Sequence, residues 1–110
     1  MADEAGLAGR LVVLLSQPVH WQIRLCVFKY IAYCSTSHEA RSALWHIARD
    51  DICASNIFVR AWAYNMLAWT AEGLPSHAEE ARELLAMGAR DEPPAVRARI
   101  RAALRRRYVP

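Results

Sequence analysis

One segment of this chain recurs three times, and a repeat of that kind constrains the fold before any other feature is weighed. Ile23–Ile31 can be laid on Val59–Leu67 at an offset of 36 residues, and Val59–Leu67 on Val96–Leu104 at an offset of 37. Each copy opens on a β-branched residue followed by arginine: Ile23-Arg24, Val59-Arg60 and Val96-Arg97. Four positions after the first residue stands Val27, Ala63 or Ile100, and eight positions after it Ile31, Leu67 or Leu104. Those spacings put the side chains on one face of a helix.

A second kind of helix alternates with the first. Ala40-Arg41 with Leu44, Ile47 and Arg49-Asp50 matches Ala81-Arg82 with Leu85, Gly88 and Arg90-Asp91, so the repeating unit is a helical hairpin. Thr36-x-x-Glu39 and Ser76-x-x-Glu79 have the spacing of capping boxes, in which hydroxyl and carboxylate satisfy orphan amides reciprocally. Asn56 suits an N-cap, and Pro93-Pro94 suits a first helical turn, where a missing N–H costs nothing. The pattern predicts helices near residues 4–16, 19–34, 37–49, 57–72, 76–89 and 94–107. They pair into three antiparallel hairpins, at about 4–34, 37–72 and 76–107, of a single domain spanning 1–110. The expected fold is all-α, a short α-solenoid of six helices whose stacked apolar stripes make one core. In the fourth helix Val59, Trp62, Ala63, Met66, Leu67 and Thr70 form the expected core face, with Arg60 and Tyr64 on its flank. In the third copy Arg99 stands where Cys26 and Trp62 do, and Arg106 where Tyr33 and Trp69 do, so the last helix reads as the polar cap of a finished array.

Asp91-Glu92-Pro93-Pro94-Ala95-Val96-Arg97 with Ala103-Leu104, and Phe58-Val59-Arg60-Ala61-Trp62-Ala63 with Leu67, resemble the HEAT-repeat and HEAT-like superfamily. Second helices there often open with an acidic turn, then a Val-Arg pair and spaced Ala and Leu. The resemblance covers residues 19–107 and specifies a fold more closely than a task; it implies a rigid array that presents a surface to a partner. The superfamily includes DNA alkylation-repair glycosylases, but this chain spans about half of such an array and has no matching acid flanked by tryptophan. That activity is not carried over.

Composition agrees with a helical globule: twenty alanines against four glycines and five prolines, with 55% hydrophobic and 23% charged residues. No uninterrupted apolar run is long enough for a transmembrane helix, and Leu11–Leu15 lacks the flanks of a signal peptide, so no membrane role is expected. Cys26, Cys34 and Cys53 are odd in number and without Cys-x-x-Cys spacing, which fits a reducing cytoplasm better than a disulfide framework. His20, His38, His46 and His77 show no metal-ligand spacing, and no Gly-rich phosphate loop is present. No catalytic residue, metal or cofactor is expected.

What remains is surface. Arg24, Arg60 and Arg97 form a column on successive second helices, which either presents guanidinium groups to an acidic partner or contacts the chain's own Asp50, Asp51 and Asp91. Beside it Phe28, Tyr64 and Arg101, with Lys29 and Asn65, are expected to make an exposed stripe of aromatic, amide and cation suited to binding another protein. Residues 93–110 carry six arginines and no acid, whereas residues 1–92 are net acidic. A second reading is therefore nucleic-acid phosphate contact through Arg101, Arg105, Arg106 and Arg107. Oligomeric state is left open.

Overall fold

The computed structural model describes residues 6–34 and 36–106. Among them are six α-helices and no strand: α1 (Leu7–Leu15), α2 (Trp21–Tyr30), α3 (His38–Asp51), α4 (Ile57–Glu72), α5 (Ala78–Asp91) and α6 (Pro94–Arg106). A 3-10 turn, Ile31–Tyr33, tightens the end of α2, and another, Pro75–His77, leads into α5. The first predicted helix begins, in part, outside the described residues.

Local chemistry sets the helix starts. Asn56 Oδ1 accepts from the amides of Phe58 and Val59 at 2.9 and 3.1 Å, capping α4 as its sequence position suggests. At α3 the cap is one residue later than the expected box: Ser37, not Thr36, accepts from the amide of Ala40. Ser76 caps nothing, because Pro75 draws it into the 3-10 turn and α5 begins only at Ala78. His20 caps α2 through Nδ1, which accepts from the Gln22 amide at 3.2 Å.

The helices pair as α1/α2, α3/α4 and α5/α6, with α2, α4 and α6 side by side and α1 packed on α3. Helix α4 is the hub, touched by α2, α3, α5 and α6. Surrounded on four sides, it buries Tyr64, Asn65 and Trp69 as well as Val59, Ala63, Met66, Leu67 and Thr70. The Thr70 hydroxyl satisfies itself on the Met66 carbonyl at 2.8 Å.

Burial along the repeat shows how the second helices stack. Val59 and Met66 of α4, and Val96 and Ala103 of α6, are buried, while Ile23 and Tyr30 at the same positions of α2 are exposed. Those positions face the preceding hairpin, and none precedes α2 among the described residues. Conversely Phe28 and Ile31 of α2, and Tyr64 and Leu67 of α4, are buried, whereas Arg101 and Leu104 of α6 are exposed. These face the following hairpin. The two ends of the row are therefore unlike: apolar at α2, cationic at α6.

Candidate interaction surfaces

The arginine column is mostly consumed inside the fold. Arg24 Nε donates to Asp51 Oδ2 at 2.5 Å, and Arg60 Nε to Glu92 Oε1 at 2.9 Å. In both cases the carboxylate comes from the hairpin that follows, at or just beyond the C-terminus of its first helix. An acid there opposes the helix dipole, and a guanidinium from the neighbouring hairpin offsets that cost. Arg60 also donates through Nη1 to the Ala54 carbonyl at 3.1 Å, and the Tyr64 hydroxyl donates to the second oxygen of Glu92 at 2.9 Å. Arg24 and Arg60 are thus hairpin-to-hairpin ties with most of their surface covered. Arg97 differs: its Nε is buried and has no hydrogen-bond partner among the described residues.

The expected exposed stripe does not form as such. Phe28 and Tyr64 are 0% and 1% exposed and Asn65 is 2% exposed, so all three belong to the core. The correction has a single cause. A flank is solvated only where no neighbour lies against it, and α2, which carries Phe28, packs against α4, while α4, which carries Tyr64 and Asn65, is packed on four sides. Burial and the bond to Glu92 together push the Tyr64 hydroxyl pKa well above the ordinary tyrosine range, with the Arg60 charge opposing.

Lys29 and Arg101 are exposed as expected, as is Arg105. Lys29 Nζ lies 5.5 Å from the centre of the Trp62 ring and the Arg99 guanidinium 4.3 Å from it, so one half-buried indole holds two cations from neighbouring helices. Arg99 therefore shields an internal tryptophan rather than capping an open end, and the polar substitution at that end is Arg101, in the place of Phe28 and Tyr64. The side chain of Arg106, and Arg107, lie outside the described residues.

Three features escape the sequence pattern. The exposed rings of Trp21 and Phe58, on the first turns of α2 and α4, stack at 6.0 Å and 17°, and His20 stacks on Trp21 at 5.8 Å, making a continuous aromatic ridge with exposed Ile23 nearby in sequence. A signal for it existed: Trp21 and Phe58 stand two residues and one residue before Ile23 and Val59, which open successive copies of the repeat. His77 stacks on fully buried Trp45 at 4.7 Å, with His46 edge-on at 5.7 Å. Arg41 lies 4.1 Å over Trp69 and donates to that residue's carbonyl at 2.8 Å; burial lowers its pKa, with Glu72 opposing.

Among the described residues no three His, Cys, Asp or Glu side chains converge as metal ligands would, and no helix is long and apolar enough to cross a membrane. Comparison of the chain with known protein families, with characterised proteins and with solved structures finds no match.

Proposed function

We propose that the chain is a non-enzymatic protein-interaction module, a small scaffold of the HEAT-like kind acting in the cytoplasm. The observation that carries this reading is the His20–Trp21–Phe58 ridge. Three rings stacked on each other and left facing water are already ordered, so a partner that covers them gains apolar burial with little further loss of side-chain freedom. Aromatic side chains in such positions are the usual anchors of protein interfaces. The HEAT-like motif around Val59-Arg60 and Val96-Arg97, with the hairpin order seen in the fold, supports the same reading.

The rival is phosphate-backbone binding, which has exposed Arg101 and Arg105 in its favour. Against it, Arg24 and Arg60 are mostly covered and tied to Asp51 and Glu92, so two of the three arginines of the repeated column are not free to meet the several phosphates that tight binding neutralises. The deciding experiment combines Trp21→Ala with Phe58→Ala, both at exposed sites, and compares co-purifying protein and thermal melting with the wild type. Loss of the co-purifying protein with an unchanged melting curve is the expected result. Unchanged recovery overturns the reading, as does Arg101-dependent binding of labelled duplex or single-stranded nucleic acid that persists at physiological salt.

A further inference from the structure

We propose that the outer face of α6 is a docking site for a polypeptide helix terminus that bears a carboxylate. The argument comes from the repeat itself. At two of three equivalent positions an arginine of a second helix binds the acid that ends the first helix of the following hairpin: Arg24 to Asp51, and Arg60 to Glu92. The third, Arg97, has the same place in the repeat and a buried Nε with no partner among the described residues. A guanidinium N–H removed from water without an acceptor loses free energy that an incoming carboxylate restores.

The neighbouring positions describe the same vacancy. Leu104 is 49% exposed, yet its equivalents Ile31 and Leu67 are both 0% exposed because a following hairpin covers them. Arg101, in the place of buried Phe28 and Tyr64, adds a second cation to that face, and Arg105 follows one helical turn later. A small apolar spot on the same helix face as three arginines, one of them with its Nε already removed from water, fits an acidic helix end packed through an aliphatic residue. Phosphate has no counterpart for Leu104.

A second copy of this chain is a poor occupant. Stacked in the same register, it would offer the junction between α1 and α2, Ser16-Gln17-Pro18-Val19-His20, which holds no carboxylate where Asp51 and Glu92 stand. The inference names a partner chemistry for the proposed interaction module but uses a surface separate from the aromatic ridge, so each can fail alone.

The test is fluorescence anisotropy on the full chain with a labelled peptide copying residues 78–93, the α5 helix with its terminal Asp91-Glu92. The same peptide carrying Asp91→Asn and Glu92→Gln, and a DNA duplex, serve as comparisons. The expected result is saturable binding to the acidic peptide, weakened at least about tenfold by the peptide's Asp91→Asn/Glu92→Gln change, by Arg97→Gln and by Leu104→Asp, and retained in the Trp21→Ala/Phe58→Ala protein. Melting curves guard against misfolding: Arg97→Met should melt at or above the wild-type temperature, whereas Arg60→Met should melt lower because it leaves the largely covered Glu92 carboxylate without its counter-charge. The proposal is overturned if the peptide does not bind, if the native and the Asp91→Asn/Glu92→Gln peptides bind alike, or if the duplex binds more tightly through Arg97. It is also overturned if Arg97→Met melts as low as Arg60→Met, or if Arg97 instead governs self-association in sedimentation.

Discussion

At Tyr64, burial and the Glu92 carboxylate act in the same direction, both disfavouring the phenolate. In the unfolded chain the hydroxyl ionises near the ordinary value of about 10, while in the folded chain it resists. The sign follows: the contribution is fully present below about pH 10 and is lost as pH rises above it, because the unfolded state releases its proton first. Tyr64→Phe should therefore cost about 1–2 kcal/mol at neutral pH, by removing the bond to Glu92, yet flatten the alkaline decline. Urea unfolding at neutral and strongly alkaline pH checks both. Equal slopes in wild type and Tyr64→Phe would sink the assignment. This residue also shows where sequence reading stops. Its position beside the core stripe was legible, but whether a flank meets water or another helix depends on neighbours that one helix's periodicity does not describe. Asn65 and Phe28 were misplaced for that reason; for the arginine column, Asp51 was among the candidate acids, whereas Glu92, the partner of Arg60, was not.

Helix α5 approaches α4 and α6 through Gly88, and a Cβ built there would meet Tyr64 Cε1 and Ile100 Cδ1 at 2.7 Å each. Two effects of Gly88→Ala compete. Alanine favours a helix interior over glycine by about 1 kcal/mol, but a methyl group forced into a filled interface costs about 1–3 kcal/mol. Here the second effect wins. The obstructing ring is fully buried and anchored by its hydroxyl on Glu92, so it cannot swing aside as the end of a flexible side chain would. Gly88→Ala should lower stability by about 1–2 kcal/mol in denaturant unfolding, and no change or a gain would mean that α5 slides freely on α4. Asn56→Ala tests the other kind of contribution, a cap: two amides of α4 lose their acceptor, for a cost of about 1 kcal/mol by the same assay, and a change near zero would show that water replaces it. Asn56 and Pro94 were legible because cap and first-turn chemistry is local. The box at Thr36 was one residue out, since two hydroxyls stand side by side and only backbone geometry chooses Ser37.

Across the whole molecule the three-fold repeat made six helices and their hairpin order readable, because stacking follows from apolar stripes that no single hairpin covers. It did not reveal that a three-hairpin array has only one interior second helix. That inequality has an energetic consequence. Helix α4 is packed on four sides and holds the largest continuous run of buried residues among those described, from Ala63 to Leu67, whereas α1 packs mainly on α2 and α3 and leaves Leu7 and Val13 exposed. Local opening costs least where few apolar contacts must break. Native-state hydrogen exchange should therefore place the α4 amides at the free energy of global unfolding, with α1 exchanging through openings that denaturant scarcely affects. The same gradient should hold in Gly88→Ala, where loosening of α5 lowers the protection of α4 and α6 together and leaves α1 where it was. Uniform protection from α1 to α6 would mean instead that the array unfolds as one unit, with its end hairpins as tightly held as its centre.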